Sequence, residues 1–204
     1  MKENMDIKKD SKMKTSVYSV FMFCVFSVNL FAQKNNRVKM LYITETEFST
    51  GSPAFDFDCK SKNGILLNDF LIKSYATIKK GDSTYKFIKK NLYGYQTCNG
   101  QLYRFFDKKE LLLLNSNEQI LIYRRLGARP LSGRTNVTIF YFSVGKNGKI
   151  LKLTFKNLKE TFVGNALFLG FIESEFKYNT DLDDYDENLK KHKLNVLLEK
   201  SKGK

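Results

Sequence analysis

The chain has 204 residues, with 35 Lys and Arg against 21 Asp and Glu and a formal net charge of +14. One histidine, three cysteines and no tryptophan leave no His pair or zinc-type cysteine spacing for a metal centre, and no Trp for stacking on sugars. The charge admits attraction to lipid head groups, polysaccharides or nucleic acid. The plainer alternative is a lysine-rich solvated surface, because Lys far outnumbers Arg and specific phosphate or carboxylate sites favour the forked Arg donor.

The first 32 residues read as a secretory signal peptide: a basic region with Lys8, Lys9, Lys12 and Lys14, an apolar run from Val17 to Leu30, and the small residue Ala32. Either Met1 or Met13 can serve as its start. An uncleaved anchor is the alternative, but Ser19, Ser27 and Asn29 interrupt the run, which falls short of the roughly 18 to 20 apolar residues of a spanning helix. Acylation at Cys24 is disfavoured by the bulky Phe23 before it and by the apolar run continuing past it. Cleavage after Ala32 leaves residues 33–204 as one domain with 30 basic and 18 acidic residues, a net charge of +12. The remaining cysteines, Cys59 and Cys98, are compatible with one disulfide in an oxidising compartment or with two separate buried thiols.

In chain order, Val38 to Ile43 reads as a strand, and Thr44-Glu-Thr-Glu47 as a capped helical turn closing at Gly51-Ser-Pro53. Ala54 to Cys59 and Phe70 to Lys79 read as strands, separated by a turn at Ser61 to Gly64 and the short apolar stretch Ile65 to Leu67. After Gly81-Asp82 come Thr84 to Ile88, Leu92 to Cys98, Gln101 to Asp107, Leu111 to Asn115 and Ile120 to Arg125. Asn99-Gly100 is the strongest hairpin signal, since both residues tolerate the positive φ of a primed turn. A basic loop, Leu126 to Asn136, precedes the strand Val137 to Val144 and a hairpin through Gly145 to Gly148 into Lys149 to Leu153.

Near residue 154 the hydrophobic period changes from 2 to 3.6, so residues 33–153 are mainly β and 154–204 mainly α. Thr154 caps a helix through Phe155, Leu158 and Phe162, which Gly164-Asn165 is expected to end in left-handed conformation. Ala166 to Tyr178 forms a second helix. A third, capped by Asn179 or Thr180, is expected to run from Asp183 to Lys200. Its acidic start (Asp181, Asp183, Asp184, Asp186, Glu187) and lysine-rich end would both suit the helix dipole.

The segments Tyr93-Gly-Tyr95, Leu102-Tyr-Arg-Phe105, Ile122-Tyr-Arg124 and Phe140-Tyr-Phe-Ser143 resemble an uncharacterised family of small secreted proteins from Bacteroidota. Leu153-Thr-Phe155 with Asn157-Leu-Lys159, and Tyr185-Asp186 with His192-Lys193 and Asn195, are similar to its helical part. The resemblance implies a shared fold and export route. The family has no assigned activity, so no functional residue carries over.

Chemistry is sparse. His192 reads as a capping or surface residue, with Tyr185 seven positions earlier close enough to pack on it. The acidic run 181–187 lacks the glycine and the twelfth-position Glu of an EF-hand. No nucleophile elbow surrounds Ser132, and Asp56, Asp58, Glu173 and Glu175 are the carboxylates a hydrolase could use. Tyr85, Phe87, Tyr93, Tyr95, Tyr103, Phe105 and Tyr123 recur on alternate positions. They form either an aromatic core or an exposed stacking platform flanked by Arg104, Arg124 and Arg125.

These readings predict an α+β protein: an antiparallel meander of about seven or eight strands followed by two or three C-terminal helices. No catalytic, cofactor or metal residue is expected. A basic patch of Arg124, Arg125, Arg129 and Arg134 is expected to meet an envelope component or anionic surface polymer, export arguing against nucleic acid. The function that follows is an exported, non-catalytic binding or structural module. The alternatives are a carboxylate-dependent hydrolase of a surface polymer and a basic adhesin.

Overall fold

The computed structural model describes residues 37–61, 63–67, 74–107, 109–126 and 138–203; the stretch read as a signal peptide and most of the basic loop lie outside them. The strands are β1 (Val38–Tyr42), β2 (Phe55–Asp56), β3 (Gly64–Leu66), β4 (Tyr75–Lys80), β5 (Ser83–Ile88), β6 (Gly94–Thr97), β7 (Leu102–Phe106), β8 (Lys109–Leu113), β9 (Ile120–Leu126), β10 (Thr138–Val144) and β11 (Leu151–Lys152). They form one 11-stranded sheet in the order β11-β10-β9-β8-β7-β6-β1-β3-β4-β5, with β2 also on β1. All its pairings are antiparallel.

The α+β class and the C-terminal placement of helices agree with the sequence reading, but the strand count does not. Strands β2, β3 and β11 are only two or three residues long, too short for an alternating pattern to show. They exist because a longer neighbour supplies the ladder. The meander is also interrupted: β1 lies between β6 and β3 rather than at an edge, and an irregularity between Val38 and Met40 shifts its register against β6. Cys98-Asn99-Gly100 makes a three-residue loop, since Thr97 N–H donates to Gln101 O at 2.9 Å and only Gly100 (φ 84°) is left-handed. That is a turn with a bulge glycine rather than the two-residue primed turn that Asn-Gly suggests.

Helix α1 (Glu45–Thr50) starts in the anticipated capping box, with Glu47 N–H donating to Thr44 Oγ1 at 3.2 Å and Thr44 N–H to Glu47 Oε2 at 3.1 Å, and ends on Gly51 at φ 73°. Its one buried residue, Phe48, sits 5.3 Å from both Tyr42 and Tyr93. Gly94 makes this possible: a Cβ there would lie 2.5 Å from the Tyr103 carbonyl oxygen and 2.9 Å from the Phe48 ring. The β10–β11 turn comes back to α1, where Lys146 Nζ donates to Ser49 O at 2.8 Å. The sheet therefore curls around Tyr42, Phe48, Leu111, Leu113, Leu121, Tyr123, Tyr141 and Ile150.

Past Thr154 the chain forms α2 (Phe155–Thr161) and α3 (Ala166–Glu175), the hairpin β12 (Tyr185–Asp186) and β13 (Lys191–His192), then α4 (Lys193–Lys202). Thr154 and Asn165 accept from the backbone at Asn157 and Phe168, so Asn165 starts α3 rather than ending α2. Gly164 is not left-handed. The long acidic helix is a further correction. Asp186 Oδ1 accepts from Asn188 N–H at 2.9 Å and Leu189 N–H at 3.0 Å, the local bonding by which Asp favours turns over helix. Leu158, Phe168, Ile172, Leu194 and Leu198 then cover Ile120, Ile122 and Phe142. Because Leu121 and Tyr123 are buried on the other face, β9 is apolar on both sides, as a covered strand must be.

Candidate binding surface

Arg37 fixes the segment after β2: its guanidinium donates to Cys59 O at 3.1 Å and Ser61 O at 2.7 Å, while its carbonyl accepts from Cys98 N–H at 2.7 Å. That clamp holds Cys59 beside Cys98, and the two are bridged with Cα atoms 5.8 Å apart. Next to the bridge is an open cleft of about 510 Å³ lined by Lys39, Asp56, Phe57, Asp58 and both cysteines. Two of the four hydrolase carboxylates, Asp56 and Asp58, thus share a cleft, yet both are exposed. The other two are on α3, where Glu173 pairs with Lys159 at 2.6 Å and Glu175 with Lys193 at 3.3 Å.

The aromatic residues are mostly core. Tyr95 and Tyr123 are buried, Phe87, Tyr93, Tyr103 and Phe105 half-buried, and Tyr85 alone of the seven is exposed. Arg104 does not flank a platform. It lies over the Tyr93 ring at 4.5 Å and donates to Lys146 O at 3.2 Å and to Gly148 O and Tyr123 Oη at 3.4 Å. Burial pushes the Tyr93 hydroxyl up to about 12 against the pull of Arg104.

The four-arginine patch is not one surface. Arg124 pairs in register with Leu112 and Phe140, and Arg125 with Ile139, so the adjacent residues point to opposite faces of the sheet. Arg129 and Arg134 lie outside the described residues. Arg124 shares its face with Tyr103, whose ring stacks on Tyr95 at 4.7 Å, and Tyr95 in turn donates to Glu110 at 2.8 Å. Burial raises the Tyr103 hydroxyl pKa, with the Arg124 charge opposing and the Glu110 charge adding to the rise. Leu112 and Arg124 belong to neither the helix-covered core nor the strand-covered core that includes Tyr95. They form a half-buried seam between the two. Arg124 Nε is buried there and has no hydrogen-bond partner among the described residues.

His192 is not a surface residue. It is 6 % exposed, donates from Nδ1–H to Asp183 O at 3.0 Å, and packs edge-on against Tyr185 at 5.2 Å across the β12–β13 pair. The anticipated contact with Tyr185 is made through a hairpin instead of a helix face. The acidic run is used up in turns, Asp181 accepting from Tyr178 N–H and Asp184 pairing with Lys193. No group of three or more potential metal-ligating side chains occurs among the described residues. Among them, too, no helix is long and apolar enough to cross a membrane.

Fold and seam together define an α+β protein organised on one large curled antiparallel sheet. Comparison with protein families, with curated proteins and with solved structures gives no match.

Proposed function

We propose that this chain is an exported, non-catalytic binding module of the cell envelope or extracellular space, and that the face carrying Arg124 engages an anionic component. The observation that carries this reading is the buried Arg124 Nε without a partner. An orphaned buried donor costs about 1–3 kcal/mol, a cost an anionic ligand would offset. The signal-like N-terminus and a bridged cysteine pair support export, since such bridges persist in oxidising compartments.

Retention on a heparin or lipopolysaccharide matrix tests the reading. Arg124→Ala is expected to elute at markedly lower salt than the parent, and Arg125→Ala, altered on the opposite face, to shift less. Equal elution of both variants and the parent would reduce the charge to a solvated surface. Sequencing the N-terminus of the native protein tests export, with Gln33 expected as its first residue. The hydrolase alternative has one observation in its favour, the convergence of Asp56 and Asp58 on the cleft. Turnover of a surface polymer abolished by Asp56→Asn or Asp58→Asn would replace the binding reading.

A further inference from the structure

The sheet has two ends of unequal character. At one, β11 contributes two residues; at the other, β5 contributes six and pairs only with β4. Lys89 N–H donates to Ser74 O at 2.8 Å, continuing the β4–β5 register in which Ile88 faces Tyr75. Because bonded and non-bonded pairs alternate in an antiparallel ladder, Tyr85 and Phe87 bond inward to β4. Thr84, Lys86 and Ile88 therefore turn their N–H and C=O groups to the open edge, and no strand among the described residues takes them up. All three are exposed, Ile88 at 50 %.

The side chains around that edge are of one sign. Lys79, Lys80, Lys86 and Lys90 are all exposed, and none has a carboxylate partner among the described residues; Lys86 lies over the Tyr75 ring at 5.3 Å. Asp82 in the hairpin turn is the one acid between residues 74 and 91. Beside the lysines stand apolar groups open to solvent, Leu66 at 53 % and Tyr85 at 48 %. A second copy of this edge would bring lysines against lysines, which is unfavourable across a strand pair. An extended segment with carboxylates at alternate positions would meet them favourably.

We propose that β5 is a strand-addition site for an extended acidic peptide segment of a partner protein. Its backbone would bond to Thr84, Lys86 and Ile88, its acidic side chains would lie on the face of Lys79 and Lys86, and its apolar ones on the opposite face beside Tyr85 and Phe87. Edge lysines also serve to discourage strand pairing, and the two roles separate experimentally. This surface is distinct from the Arg124 seam, and neither reading needs the other.

The probe is a fluorescein-labelled (Glu-Val)4 peptide, read by anisotropy and by amide hydrogen exchange on the intact mature chain. Binding is expected, with slowed exchange at Thr84, Lys86 and Ile88 and a steep loss with salt. Thr84→Pro removes an outward donor without touching the β4 ladder, which an edge strand tolerates; it should weaken binding at least tenfold at unchanged far-ultraviolet dichroism. Lys79→Gln with Lys86→Gln should weaken it comparably, while an Arg124→Ala chain binds like the parent. The proposal is overturned if the peptide does not bind, or if its alternately N-methylated form, charged but unable to form the ladder, binds equally. The second outcome would assign the lysines to plain polyanion attraction.

Discussion

At the scale of single residues, the buried polar side chains stand in for backbone the sheet does not supply. Asn195 of α4 accepts from Ile120 N–H at 2.7 Å and donates to Ile120 O at 2.9 Å; Asn115 donates to the same carbonyl at 2.9 Å and accepts from Ile122 N–H at 2.6 Å. Two amides thus complete the start of β9, and one of them fixes the last helix to the sheet. Asn195→Ala should cost about 1–3 kcal/mol by orphaning the buried Ile120 N–H, seen as a lower urea midpoint at unchanged m-value. Tyr93 makes a pH prediction. Its hydroxyl is raised to about 12 by burial, so the folded state holds a proton that the unfolded chain releases near 10. The resulting stability is present below pH 10 and is lost as pH rises towards 12. Thermal melting should fall across that window, and Tyr93→Phe should flatten the fall; an equal fall in the variant would locate the effect elsewhere. None of these roles was legible in the sequence. An Asn that replaces backbone is indistinguishable from a surface Asn until the strand it serves is known, and Arg104 and Arg124 differ only in which face their registers assign them.

Elements differ in how far local sequence specifies them, for physical reasons. Those whose determinants are local came through. The α1 capping box lies within four residues, Thr154 caps α2, and the Gly81-Asp82 hairpin puts a glycine at φ 60° where a two-residue loop needs left-handed backbone. The acidic run misled because dipole complementarity is weak, about 0.3–1 kcal/mol per charge. Asx-type bonds at Asp186 and packing of Tyr185 on His192 outweigh it. The disulfide acts at this scale as well. It ties the segment after β2 to the end of β6 across a sequence separation of 39 residues. Loop-closure entropy for a ring of that size corresponds to about 4 kcal/mol. A Cys59→Ser, Cys98→Ser double variant should unfold at lower denaturant by roughly that amount, and a reductant should destabilise the parent to the same level while leaving the variant unchanged. Were the reductant to leave the parent's midpoint in place, the bridge would not be formed in solution.

For the whole molecule, the insertion of β1 between β6 and β3 governs how the sheet can form. From β6 to β11 each strand pairs with its successor, so those contacts close over short loops, except where residues 127–137 intervene. The β1–β6 ladder instead joins Val38 to Thr97 and Tyr42 to Gly94, and closing so long a loop carries an entropy cost that contacts must first offset. Hydrophobic periodicity does not encode this arrangement, since β1 has the same pattern at an edge as in the middle. Its position is set by α1, which reaches across to Tyr93 and to the β10–β11 turn. The β7–β9 hairpins should therefore gain amide protection first in pulse-labelled refolding, and β1 with its partners last, with overall folding in the millisecond-to-second range of non-local β proteins. Phe48→Ala should then slow the late step, because Phe48 is what packs α1 against Tyr42 and Gly94 as β1 docks. Protection of Met40 to Tyr42 at the same time as β8 and β9 would show instead that the curled sheet condenses as one unit, with α1 following it.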